Sequence, residues 1–156
     1  MVTGLIDQKL QDLGLVLPMP PKPVASYVPY VISERTIYVS GQVPMGPDGL
    51  EYIGKLGLDF TVEEGQAAAR LCAINIIAQL NAATQGNLER ITQIVRLGGF
   101  VNCTDEFKGQ PQVINGASDL MREVFGEAGR HARTAVGVNA LPANVAVEID
   151  AIAVLV

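Results

Sequence analysis

Apolar residues recur along this chain with two different periods, and the switches between them outline its elements. Ile6, Leu10 and Leu13 fall at helical spacing and predict a short amphipathic helix over residues 6–13. Four prolines within Leu17–Pro23 then predict a stiff, extended connector. Val28–Ile32 and Thr36–Ser40 read as strands joined by a turn at Ser33-Glu34-Arg35. The second strand runs into Ser40-Gly41-Gln42, where a residue without Cβ lets another group come close to the backbone. Pro44–Gly49 reads as a turn.

Helical periodicity returns at Thr61. In Thr61-Val62-Glu63-Glu64 the hydroxyl can accept an orphan N–H while Glu64 reaches back to the start of the helix, and two acids suit the positive end of the dipole. Leu71, Ile74, Ile77 and Ala78 supply an apolar face, and the helix should end before Gly86. After a short turn at Asn87–Arg90, Ile91–Cys103 reads as a strand, with a bulge expected at Gly98-Gly99. A second helix is expected from about Pro111, with Ile114, Ala117, Leu120, Met121, Val124 and Phe125 on one face and a stop at Gly126 or Gly129. Thr134–Val138 and Ile149–Val156 read as two closing strands forming a hairpin about Leu141-Pro142. The order β-β-(β)-α-β-α-β-β predicts an α+β fold in which two helices cover one face of a sheet, leaving the other face for neighbouring subunits.

Composition sharpens this picture. A chain of 156 residues holds one domain with a real core, expected here over residues 1–156 with 1–24 as an N-terminal extension. Only 17% of residues are charged and 49% are hydrophobic, which predicts exposed apolar patches and hence a homo-oligomer. The formal net charge is −5 and the cations are scattered singly, so the basic stripe that nucleic-acid binding requires is missing. Cys72 and Cys103 do not form a CxxC, and one His cannot complete a zinc site, so both read as buried reduced thiols and no metal is expected. Met1–Leu10 lacks the pattern of a signal peptide, and no apolar run reaches the ~20 residues of a membrane helix. The expected location is cytoplasmic, with no membrane partner.

Two charges stand where the pattern is most apolar. Arg133 precedes one closing strand and Glu148 the other. Buried charges are costly unless paired or used, so the two form either an ion pair closing an interface or a site for a small carboxylate. In a symmetric hairpin they would be offset by about three positions, roughly 10 Å along the ladder. Arg133, Ala135 and Gly137 share one face, and their small side chains leave room beside a guanidinium that can grip a carboxylate through two parallel hydrogen bonds. Tyr27 reads as an interface aromatic or a site residue, and Asn115 as a capping residue or a site residue on the polar side of the second helix. His131 is the sole histidine and reads as an ordinary exposed residue.

Tyr27, the run Ile37-Tyr38-Val39-Ser40-Gly41-Gln42-Val43-Pro44, Asp105-Glu106-Phe107, Asn115 and Phe125 together resemble the RidA/YjgF family of reactive-intermediate deaminases. The ending His131-Ala132-Arg133, Leu141-Pro142 and Val147–Ala153 is the most specific part of the resemblance. The resemblance runs from about residue 25 to the end, and it is to a longer branch often labelled endoribonuclease. It implies a chorismate-mutase-like α+β subunit, a homotrimer around a central β-barrel, and clefts between subunits. It also implies hydrolysis of 2-imino or enamine acids to 2-oxo acids and ammonia without a cofactor. In that frame Arg133 would hold the substrate carboxylate and Glu148 would orient the attacking water. Tyr27 and Asn115 would line the cleft, Ser40 and Gly41 would floor it, and the Ala135 backbone would face the imine. This chain departs from the family pattern in having His131 for the usual Pro, Ala135 for a Cys or Ser, and Ala25-Ser26-Tyr27-Val28-Pro29 for an opening that carries Ser and Gln. Three readings follow: an imine hydrolase, a non-catalytic binder of small carboxylates, and a ribonuclease, against which the single His and the acidic charge weigh.

Overall fold

The structure is a computed structural model, and it describes residues 4–20 and 25–156. Its elements follow the expected order. Helix α1 (Leu5–Asp12) is followed by strands β1 (Tyr30–Ser33) and β2 (Thr36–Gln42) and by a small hairpin, β3 (Met45–Gly46) and β4 (Gly49–Leu50). Helix α2 (Val62–Ala83), strand β5 (Ile91–Asn102), helix α3 (Gln110–Phe125) and strands β6 (Ala132–Val138) and β7 (Val147–Leu155) complete the chain. Residues 21–24, the end of the proline connector, lie outside the described residues; Leu15–Pro20 has neither helix nor strand.

The capping box forms as the sequence demands: Glu64 N–H donates to Thr61 Oγ1 and Thr61 N–H donates to the Glu64 carboxylate at 2.7 Å. Two orphan donors are thereby satisfied where the helix dipole favours an acid. The buried face of α2 is turned from the expected one. Ala68, Ala69, Cys72, Ala73, Ile76, Ile77 and Leu80 are fully buried. Leu71 and Ile74 are only half-buried and, with Leu15–Pro18 and Met45–Pro47, line an apolar groove of about 530 Å³. The N-terminal segment, rather than the sheet, supplies their apolar neighbours. On α3, Ile114, Ala117, Leu120, Met121, Val124 and Phe125 are all buried, as their spacing predicts.

The strand order is β1-β2-β7-β5-β6, and it corrects the expected C-terminal hairpin. β6 and β7 do not pair: β5 lies between them, parallel to β6 and antiparallel to β7. A 12-residue strand can pair on both edges, and inserting it buries a long apolar run that a simple hairpin would leave at the edge. The bulge is also displaced. Gly98 and Gly99 stand in regular register opposite Asp150 and Ile149, where the missing side chains leave room for the Asp150 carboxylate and for Ile114 of α3. On β5 the irregularities fall earlier, between Ile91 and Gln93 and between Ile94 and Arg96. A further bulge lies in β2, where Ser40 and Gly41 together oppose one residue of β7.

Alternation along β7 is strict. Val147, Ile149, Ala151, Ala153 and Leu155 are buried beneath the helices, and Glu148, Asp150, Ile152 and Val154 look the other way. The second face carries Val31, Tyr38 and Val136 at 52, 49 and 39% exposure, with no helix over them. Val31 and Tyr38 are cross-strand neighbours near one edge of this face, and Val136 lies on the strand at the other edge.

Candidate functional site

Arg133 sits on β6, the sheet's edge strand, in register with the buried Leu97, so its side chain leaves on the helix side. There Nη1 donates to Ser118 Oγ at 3.1 Å and Nη2 donates to the Pro111 carbonyl at 3.2 Å. Two donors fix the plane of the guanidinium, and its other N–H groups stay free for a ligand.

Ser118 is held in turn by His131. His131 Nδ1 lies 2.7 Å from the Gly129 carbonyl, which can only accept, so Nδ1 carries the ring proton of the neutral imidazole. Nε2 is then an acceptor for the Ser118 hydroxyl at 2.9 Å. Burial, aided by the Arg133 charge and opposed by the Gly129 hydrogen bond, pushes the His131 pKa down and favours that neutral form. His131 is therefore not the exposed residue the sequence suggests: both ring nitrogens are engaged, one of them through Ser118 to Arg133. Asn115, Ser118, Asp119, Arg122, Arg130, His131 and Arg133 line one cleft of about 280 Å³.

Glu148 occupies a different place. It is in register with Phe100, on the sheet face away from the helices. One carboxylate oxygen lies over Gly41, 2.5 Å from where a Cβ would stand. The β2 bulge turns Ser40 and Gly41 toward it, and glycine is needed there for space, since Gly41 is not among the residues with positive φ. The Ser40 hydroxyl donates to the Val28 carbonyl at 2.7 Å and Ser40 N–H donates to the Pro29 carbonyl, tying the Tyr27–Pro29 strap beside the same bulge. Tyr27 itself is 63% exposed. Among the described residues Glu148 has no hydrogen-bond or ion-pair partner. Burial, with the Asp150 charge adding to it, raises its pKa above the usual carboxylate range.

The expected residues thus fall into two groups. Arg133 and Asn115 line the helix-side cleft, with Ala135 next along the same face of β6. Glu148 and Gly41 meet at the uncovered face, and Ser40 of the same bulge ties down Val28, the residue after Tyr27. Within one chain Arg133 and Glu148 are two strands apart, about 10 Å, and their register differs by three residues, about another 10 Å, with the sheet between them. The hairpin that would have placed them on adjacent strands, offset by about three positions, does not form.

The family of the chain follows from comparison. The sequence model of the family described as "YjgF/chorismate mutase-like, putative endoribonuclease" matches residues 7–155. The chain belongs to the YjgF/RidA family. Its family relative Protein TCP17 of Trypanosoma cruzi is 48% identical over 151 residues, 96% of this chain and 94% of that protein. The 2-iminobutanoate/2-iminopropanoate deaminase of Dermatophagoides farinae is 27% identical over 139 residues, 88% of this chain and 92% of its own. The crystal structure of a protein of unknown function from Agrobacterium tumefaciens superposes with a TM-score of 0.91 at 47% identity, covering 97% of this chain and 94% of that one.

Within this YjgF/RidA chain the sequence reading missed Ser118, Arg122 and Arg130 as cleft residues. A signal was present: Asn115, Ser118, Asp119 and Arg122 recur at i, i+3, i+4 and i+7, a polar stripe beside the apolar one on α3. The two thiols fit their expected character. Cys72 and Cys103 are free and buried, and burial pushes the Cys72 pKa well up. No group of three or more metal-ligating side chains occurs among the described residues.

Proposed function

We propose that this chain hydrolyses 2-imino or enamine acids to 2-oxo acids and ammonia, in a cleft completed by a second copy within a homotrimer. The observation that carries the reading is Glu148: a half-buried carboxylate with no partner among the described residues, its pKa raised, laid over a glycine bulge on a sheet face without a helical cover. A raised pKa makes the carboxylate a stronger base, which suits it to take a proton from water. Arg133, held by Ser118 and the Pro111 carbonyl, is a preset carboxylate anchor. It stands on an edge strand while Glu148 lies on the opposite face, so a single small ligand can touch both only if one subunit's edge meets another subunit's open face. Packing of copies through those exposed apolar residues, into the trimer with a central barrel that the family resemblance implies, would bring the two groups together.

In this mechanism Arg133 binds the substrate carboxylate and fixes the imine carbon. Glu148 takes a proton from water as the new C–O bond forms and the C=N π electrons move to nitrogen. With the imine bound in its protonated form this gives a neutral carbinolamine. Glu148 then passes its proton to the nitrogen and takes the hydroxyl proton as C=O forms and the C–N bond breaks, releasing ammonia. It finally returns that proton to solvent. The imine carbon is already electrophilic, so positioning water and moving one proton is enough, and no step calls for a cofactor. The family relationship and the imine deaminase relative support this reading.

The test is ammonia and oxo-acid release from imino acids generated in situ by an amino-acid oxidase, with Arg133→Ala and Glu148→Gln as controls. Acceleration abolished by both substitutions is expected. Release no faster than without protein would refute catalysis, and oxo-acid binding without turnover would make the protein a carboxylate binder. A cytoplasmic location fits this chemistry and is part of the proposal; no helix among the described residues is long and apolar enough to cross a membrane.

A further inference from the structure

The cleft around Arg133 holds more positive charge than one carboxylate requires. Arg122 and Arg130 line it beside Arg133, and the one acid at its wall is the exposed Asp119. These are three of the eleven lysines and arginines in a chain whose net charge is −5, so the concentration runs against the composition. Several of the other cations are engaged elsewhere. Arg70 pairs with Glu123, Arg35 donates to the Leu155 carbonyl, Arg96 donates to Thr134, and Lys55 donates to Asn102.

Arg122 has no carboxylate within 4.0 Å among the described residues, although it stands on the same helical stripe as Ser118 and Asp119. Arg130 meets Glu127 at 3.6 Å, but both side chains are mostly in water, and such exposed pairs contribute little and exchange readily for a better anion. Arg133 is the opposite case: half-buried, oriented by two hydrogen bonds, and unable to reorient without losing them. One fixed guanidinium and two adjustable ones around a cleft of about 280 Å³ suit a short acid with two anionic ends. Asn115, on the same wall, offers an amide to the atoms between them.

We infer that the cleft selects dicarboxylic over monocarboxylic acids, with Arg133 holding the carboxylate next to the reacting carbon and Arg122 and Arg130 receiving the distal one. The inference deepens the proposed function and rests on Arg133 as the anchor in that reading, but it concerns binding and not turnover. A nucleic-acid backbone is a weaker fit, because none of the cleft residues is Phe, Tyr or Trp, the one ring present, His131, is tied at both nitrogens, and the cations surround a pocket instead of forming a stripe.

Calorimetric titration of the full chain with 2-oxoglutarate and with 2-oxobutanoate tests it. The diacid should bind about tenfold more tightly or better, the scale of a charge-assisted hydrogen bond. In the Arg122→Gln, Arg130→Gln double variant the diacid should fall to the affinity of the monoacid, and its salt dependence should flatten. Circular dichroism and size-exclusion chromatography of the variant show whether fold and assembly are kept. Equal affinities for the two acids in the native protein overturn the inference and leave imine hydrolysis standing. A diacid preference that depends on Arg122 and Arg130, without imine turnover, supports the inference and sinks the catalytic reading. If the double substitution changes the oligomeric state and not the acid preference, the arginines serve a subunit contact and the inference fails. It fails equally if a short RNA binds more tightly than the diacid and competes with it.

Discussion

Replacing Gly41 by alanine separates the role of Glu148 in chemistry from any role in stability. A Cβ on residue 41 would stand 2.5 Å from a Glu148 carboxylate oxygen and 3.0 Å from its carboxyl carbon. Ordinary contact begins at 3.4 Å, so the carboxylate must retreat by about 1 Å. The retreat is inexpensive for the fold. The Glu148 carboxylate is the flexible end of its side chain, no hydrogen bond from the described residues holds it, and residue 41 does not need a positive φ. Alanine also restricts the unfolded chain, which offsets part of any strain by about 0.4–1 kcal/mol. Stability should therefore change by less than about 1 kcal/mol. Catalysis should suffer far more, because a displacement of about 1 Å in a reacting group can cost on the order of a hundredfold. The assay pairs imine hydrolysis rates with urea denaturation of the same Gly41→Ala preparation. A variant with native stability and native rate would refute the claim that the position of Glu148 over Gly41 matters. A loss of stability above about 2 kcal/mol would show instead that the glycine serves packing.

Three further outcomes are expected. Gly116→Ala on α3 should destabilise by about 2 kcal/mol or more in urea, despite alanine's better helix propensity, because the new Cβ would drive into the Gln66 main chain of α2, whose carbonyl carbon would lie 2.8 Å away. Glu148 has a raised folded-state pKa, so it contributes stability that is present at low pH and lost as pH rises through that pKa. Glu148→Gln should accordingly melt at higher temperature than the native protein at pH 7, with the difference shrinking below pH 4.5, while hydrolysis is lost; an unchanged melting temperature at pH 7 would contradict the burial argument. The lowered pKa of His131 has the opposite sign. Its neutral form matches the fold, so native stability should fall as pH drops below its ordinary value of 6.5, and a His131→Gln variant should lose that slope in pH-dependent melting curves.

Element types were legible in the sequence because each depends on neighbours in the chain. The Thr61–Glu64 box lies within four residues, and the apolar stripe of α3 repeats every turn, so both could be named and both form. The family resemblance was legible for a similar reason, its motifs being short runs in fixed order, and the family match bears it out. Which strand lies beside which was not legible. Leu141-Pro142 looks like the tip of a hairpin, yet β5, which precedes both closing strands and is separated from them by α3, takes the place between β6 and β7. Strand pairing is a competition among all apolar edges, and a local turn does not decide it.

The candidate site shows the same division. Residue types at Arg133, Glu148, Tyr27, Ser40, Gly41, Asn115 and Ala135 could be read, and the family resemblance added the expectation of a carboxylate holder at Arg133 and a water-orienting group at Glu148. Tertiary structure decided that Arg133 and Glu148 leave the sheet on opposite faces, that Glu148 lies over Gly41, and that His131 reaches Arg133 through Ser118. Alternation along a strand assigns each side chain to one of two faces, but only the register against its neighbours says which face of the whole sheet that is. Local patterns along the chain specify the parts and the family they belong to; the pairing of β5 with both closing strands sets Arg133 and Glu148 apart on opposite faces of the sheet.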